Sequence, residues 1–206
     1  MTQTTSQRVG TSGLQIEQVF SKPGVHPYDE VTWEKRDIVQ TNWKTGETIF
    51  EQKGVEFPSF WSLNASTIVA TKYFRGAMGT PARESSLKTL VSRVVRKYRD
   101  AGLAHGYFAT PRDAEIFEHE LIWMLIHQYF SFNSPVWFNV GTDAPQQVSA
   151  CFILGVEDDM ESILNWYVEE GKIFKRGSGS GVNLSRLRGS KEGLSSGGQA
   201  SGPVSF

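Results

Sequence analysis

One cysteine, Cys151, is all that 206 residues carry, so no disulfide can form within the chain. That fits a reducing compartment, and a cytoplasmic location is expected. No apolar run approaches the roughly 18 residues a membrane span requires. The first residues, Met1-Thr2-Gln3-Thr4-Thr5-Ser6-Gln7, lack the apolar centre of a signal peptide. Neither charge sign dominates: the formal net charge is −1, without the basic surplus of a chain that coats nucleic acid. Internal repeats are also missing. What remains is a soluble chain, 39% apolar, able to bury a core.

Residues 1–18, rich in Thr, Ser, Gln and Gly, read as a disordered tail. From Val31 to Phe57 the pattern is β-rich, and alternation around Gly46 predicts a hairpin. Three helices are expected next. The first starts near Ser62 and buries Ile68, Val69, Tyr73 and Phe74. The second runs from about Arg83 to Asp100, with Leu87, Leu90, Val91, Val94 and Val95 as its stripe and Gly102 as its carboxyl cap. The third is capped by Thr110 with Pro111 in its first turn, and Leu121–Ile126 makes it a central helix. After a Ser134-Pro135 turn, the run Ser149–Leu154 reads as a buried strand. Asp158-Asp159-Met160-Glu161 then reads as a capping box opening a helix to about Phe174, with Ile163, Leu164, Tyr167 and Phe174 available for packing. The expected organisation is a tail over 1–18, a hairpin-plus-helical region over 19–130, and the start of an α/β domain over 131–206. Eight glycines between Gly177 and Gly202, and a loop-like end at Ser201–Phe206, suggest a segment of something longer.

A lone cysteine is ordinarily a small apolar filler. Here its strand lies between a hydroxyl-bearing turn and a glycine-rich segment, Gly177-Ser178-Gly179-Ser180-Gly181-Val182, with Arg186 and Arg188 beyond. That segment fits neither the dinucleotide fingerprint, because its sixth position is Val182, nor a P-loop, because no Gly-Lys-Ser/Thr follows. Glycines still let backbone amides approach phosphate, and arginines offer paired donors. The histidines make no metal pair, since four residues after His119 comes Trp123.

Taken in order, Val55-Glu56-Phe57-Pro58, Tyr73-Phe74-Arg75-Gly76, Asn133-Ser134-Pro135-Val136-Trp137-Phe138-Asn139, Ser149-Ala150-Cys151 and Gly179-Ser180-Gly181-Val182-Asn183 resemble adenosylcobalamin-dependent (class II) ribonucleotide reductase. The resemblance spans residues 19–206. It implies an α/β fold: a helical amino-terminal region with a hairpin, leading into the first half of a ten-stranded barrel that is incomplete here. It further implies adenosylcobalamin as cofactor, a ribonucleoside diphosphate substrate, a deoxynucleoside triphosphate effector, a homodimer and a thiol reductant such as thioredoxin. The remainder of the reductase polypeptide would be needed for activity. Cys151 matches the first of two reducing cysteines. Ser134, Ser149, Ala150 (a serine in some members), Ser178 and Gly179 match positions beside the substrate. Asp158 and Arg188 match residues that hold the effector between subunits. Two other readings stand beside it: a non-enzymatic nucleotide-binding or assembly module, and the large subunit of a diiron-class reductase.

Overall fold

The computed structural model describes residues 13–205, which form two compact units divided between Phe132 and Asn133. The first twelve residues of the tail expected over 1–18 lie outside the described residues. From Leu14 onward the chain is held. Leu14 exchanges backbone hydrogen bonds with Tyr107 (2.7 Å) and Ala109 (2.9 Å), and the Ile16 amide donates to Asp113 Oδ1 at 2.8 Å.

The first unit opens with an antiparallel hairpin, β1 (Trp33–Thr41) and β2 (Thr48–Pro58), in a register pairing Trp33 with Pro58 and Ile38 with Gln52. Gly46 closes the loop at φ 74°, which a residue with a Cβ rarely adopts. Ile38, Val55 and Phe57 are buried. The first helix is shorter than its sequence pattern: α1 (Leu63–Ile68) gives way to a π-helical turn over Val69–Tyr73. Thr67 and Thr71 hydroxyls donate back to the carbonyls of Leu63 and Thr67, a bonding habit that loosens a helix. As a result Ser66, Ala70 and Phe74 are buried, whereas Ile68 is exposed.

Helix α2 (Leu87–Ala104) buries the expected five-residue stripe. It starts later than Arg83 because Glu56 on β2 donates its amide to the Ser85 carbonyl, holding that stretch extended until Ser86 caps the helix. It also runs through Gly102 rather than ending there. A Cβ on Gly102 would lie 2.4 Å from the Phe108 ring, so a side chain there would have to push that ring aside, and the left-handed residue after the cap is Gly106 at φ 65°. Helix α3 (Pro111–Ile126) begins with the expected Thr110 cap, reciprocated by Asp113 as a capping box.

On α3, Glu120 gathers the segment before the hairpin. Its carboxylate accepts from the amides of Val19 (3.1 Å), Phe20 (2.8 Å) and Ser21 (2.8 Å) and from the Ser21 hydroxyl (2.6 Å). Burial pushes this carboxyl up, but the Ser21 hydroxyl and the three amides outweigh it and leave it below the ordinary glutamate range. A depressed folded-state pKa stabilises above the ordinary value near 4.3, and that contribution disappears as pH falls through the folded value. Glu120→Ala, which strands four donors, should cost about 2–4 kcal/mol at neutral pH. In thermal melts the gap between wild type and Glu120→Gln should narrow as pH falls below the ordinary glutamate value of about 4.3; a gap that stays constant into the acid range would contradict this assignment.

The second unit is a β–α–β crossover. Helix α4 (Ser134–Asn139) replaces the expected turn: Asn133 Oδ1 accepts from the Val136 amide at 3.2 Å, and Pro135 sits in the first turn, where its missing N–H costs nothing. Strand β3 (Cys151–Leu154), helix α5 (Met160–Phe174) and strand β4 (Gly179–Val182) follow, with β3 and β4 parallel. Val156, Ile163, Trp166 and Leu187 form the core, and Leu154, Val182 and Leu184 pack against it. Of the α5 residues expected to pack, only Ile163 is buried. Leu164, Tyr167 and Phe174 are exposed, because the contact runs along the Ile163–Trp166 ridge. The architecture is mixed α/β, and the described residues contain no closed barrel. No helix among them is long and apolar enough to cross a membrane.

Candidate functional site

Strand alternation decides which way the thiol faces. Phe152 and Leu154 are half-buried toward the α5 side, while Cys151 and Ile153 are exposed on the opposite face, Ile153 at 90%. Cys151 is therefore not the buried strand residue that its apolar neighbours suggested. A short strand with one helix behind it covers only one of its faces.

The glycine-rich segment is half strand, not loop. Cys151 pairs with Gly179 and Ile153 with Gly181, so the positions beside the exposed side chains carry no side chain. Neither glycine has a positive φ. A Cβ on Gly179 would meet nothing nearer than the Ala150 carbonyl at 3.9 Å, and one on Gly181 nothing within 4 Å. Within this chain, then, neither backbone conformation nor packing requires glycine at those two positions. Their effect is to leave clear space on the thiol face.

Hydrogen bonds fasten the two strands where they begin. The Gly179 amide donates to the Ala150 carbonyl at 2.7 Å, and the Ser178 hydroxyl donates to the Ser149 carbonyl at 2.8 Å. Gln147 Nε2 reaches the same Ser178 hydroxyl. Further along, the Ser180 hydroxyl donates to Glu170 Oε1 on α5 at 2.5 Å. Ser149, Ala150, Cys151, Ser178 and Gly179 thus meet at one end of the small sheet. Ser134 opens α4, and its neighbour Asn133 donates Nδ2 to the Val148 carbonyl at 3.2 Å, which brings the start of α4 beside the approach to β3. Gln147 and Glu170, which contact Ser178 and Ser180, did not stand out in the sequence. Glutamines and glutamates of this kind are common on surfaces, and only the strand pairing shows what these two touch.

Asp158 and Arg188 also meet. Arg188 Nε donates to Asp158 Oδ2 at 2.6 Å, and the Arg188 amide reaches Oδ1 at 3.3 Å. The Arg188 guanidinium bonded to Asp158 holds its carboxyl below the usual aspartate range. The helix cap is Asp159, whose Oδ1 accepts from the Ser162 amide at 2.9 Å, so Asp158 is free of the capping role assigned to the acidic pair. The two residues border a cleft of about 330 Å³, lined also by Met160, Leu187, Leu194 and the stretch Gln199–Gly202. A second cleft, about 450 Å³, lies along the α5 side near Gln147, Phe152, Lys172 and Arg176.

Residues 35–128 match the family model of the class II vitamin B12-dependent ribonucleotide reductase, and residues 149–206 match that of the ribonucleotide reductase barrel domain. The chain belongs to the class II ribonucleotide reductase family. Among its relatives, the vitamin B12-dependent ribonucleotide reductase of Streptomyces clavuligerus is 70% identical over 196 residues, covering 95% of this chain and 20% of that protein. The Rhodopirellula baltica protein of the same name is 39% identical over 232 residues, covering 98% of this chain and 22% of its own length. A vitamin B12-dependent ribonucleoside-diphosphate reductase of Mycobacterium tuberculosis is 33% identical over 147 residues, covering 70% and 20%. The chain thus spans about a fifth of the length of these curated relatives. The matches favour neither the diiron class nor a non-enzymatic module.

Proposed function

We propose that this chain supplies one wall of the substrate site, and much of an effector site, in an enzyme that reduces ribonucleoside diphosphates to 2′-deoxyribonucleotides. The observation that carries the proposal is the pairing of an exposed thiol with two glycines whose missing side chains answer no need of the chain itself. A ribose laid across Gly179 and Gly181 would bring its 2′ carbon to Cys151. In the overall reaction the C2′–O bond breaks and a C2′–H bond forms. Two thiols become a disulfide, and the oxygen leaves as water. Cys151 is one of those thiols. The second belongs to the remainder of the reductase polypeptide, as do the further strands of a ten-stranded barrel that would continue the open edges of β3 and β4.

Ser134, Ser149, Ala150, Ser178 and Gly179 form the substrate side of this site, the last four mainly through backbone. A dithiol protein of the thioredoxin kind would return the disulfide to thiols. Adenosylcobalamin, bound to the complete enzyme, would supply the radical that starts turnover. Neither cleft offers the broad apolar floor a corrin ring needs, so no residue of this chain is assigned to the cofactor and no step is derived through it.

Asp158 and Arg188, beside the 330 Å³ cleft, are assigned to the ribose and phosphates of a deoxynucleoside triphosphate. The exposed Leu164, Tyr167 and Val168 on α5 are assigned to the matching helix of a second copy, giving a homodimer.

Filling the space beside the thiol tests this role of the glycines. In the full-length polypeptide, Gly179→Val should leave the melting temperature within a few degrees, because a Cβ there meets only ordinary contact. It should lower kcat/KM by roughly 100-fold by displacing the ribose. Unchanged kcat/KM would remove the substrate from this face.

A further inference from the structure

Gln147 sits just ahead of β3 with its side chain buried, 9% exposed, and the Ser178 side chain it meets is buried too. The chemistry of the three partners fixes the direction of each bond. The Ser149 carbonyl can only accept, so the Ser178 hydroxyl spends its one proton there, at 2.8 Å. The Ser178 oxygen can then only receive, and the amide end of Gln147 is the donor that reaches it. Two consequences follow. The Ser178 hydroxyl has no proton left to donate to a substrate. The relay also ties the residue before β4 to the approach to β3, immediately beside the rung where the Gly179 amide meets the Ala150 carbonyl at 2.7 Å.

That rung sets the distance between the thiol and the glycine face. β3 and β4 pair over only four residues each, so the ladder alone has little length with which to hold its register. We infer that Gln147 is a positioning residue for the thiol chemistry: through Ser178 it fixes the spacing of Cys151 against Gly179, and with it the place of the ribose. The inference rests on the proposed role of Cys151.

The test uses the full-length polypeptide with three variants: Gln147→Leu, which keeps the bulk but removes the donor, Ser178→Ala, and the double variant. Gln147→Leu should lower kcat by about 10- to 100-fold, the scale of a misplacement near 1 Å, with KM changed far less and melting within a few degrees of wild type. Ser178→Ala should lower kcat on the same scale. The double variant should be no worse than Gln147→Leu, because once the hydroxyl is gone the missing donor has nothing to satisfy. Unchanged kcat per active site in either single variant overturns the inference. So does a loss explained wholly by a falling folded fraction, or losses that multiply in the double variant. Should Gln147→Leu fail to fold, Ser178→Ala, which deletes one oxygen, carries the same kcat prediction. Cys151→Ser separates the two levels. If that variant still turns over, the proposed site fails; if it is dead while Gln147→Leu is normal, only the positioning role fails.

Discussion

Cys151→Ser in the full-length polypeptide will bring multiple-turnover reduction to background, a loss on the order of 10³-fold or more, while ribonucleotide binding survives. Serine keeps the shape and the strand pairing but cannot give up the electrons that a thiol pair delivers. The structure makes this variant a clean probe. Cys151 is exposed and takes no part in the buried core of Val156, Ile163, Trp166 and Leu187, so the substitution leaves no cavity and should not move the melting temperature. A core cysteine would behave the other way, with altered stability and preserved turnover. Equilibrium binding of a ribonucleoside diphosphate, measured beside the turnover assay, distinguishes the two.

Arg188→Ala should abolish the response of substrate preference to added deoxynucleoside triphosphate. Arg188 bonds Asp158 through Nε, leaving the outer face of its guanidinium to offer a fork of donors to phosphate. Lysine at the position keeps the charge without the fork, so Arg188→Lys should restore only part of the response. Asp158→Asn tests the other half of the pair. Because Asp159 caps α5, melting without effector should change little, while the effector-induced rise should vanish. In the wild type that rise corresponds to about 2.7 kcal/mol at a hundredfold excess over Kd. The pairing has a pH signature as well. The Asp158 carboxyl lies below its ordinary range, so the charged pair is intact above about pH 4 and is lost as pH falls through the lower folded value. An effector response unaltered in both variants would reduce Arg188 to an ordinary loop arginine.

Where local rules govern the chain, its sequence could be read directly. The Thr110–Pro111 helix start, the α2 stripe and the hairpin around Gly46 each depend on neighbours a few residues away. The misreadings share a cause, which is a partner distant in sequence. Gly102 reads as a helix end until the Phe108 ring is seen to lie over it, and Ser85 reads as helical until β2 claims its carbonyl. The acidic pair before α5 reads as one capping unit, yet Arg188, thirty residues on, takes Asp158 and leaves the cap to Asp159. Cys151 was the clearest case. An apolar run implies burial, but only its pairing with β4 shows that α5 covers the Phe152 face and leaves the thiol open. The ordered motifs singled out Ser149, Ala150, Cys151, Ser178 and Gly179, which the fold brings to one end of the small sheet. Gln147 was not singled out, because only the strand pairing shows which hydroxyl it meets.

The most direct test of the central claim follows the thiol itself through one turnover. The reduced full-length enzyme, freed of external dithiol, is given adenosylcobalamin and ribonucleoside diphosphate. It is then quenched in acid, alkylated and digested, and the Cys151 peptide is quantified by mass. The account predicts that one Cys151 thiol is lost to a disulfide for each deoxyribonucleotide formed, and that dithiol recovers it. Product formed in stoichiometric amount with Cys151 still fully alkylated would show that the electrons come from elsewhere.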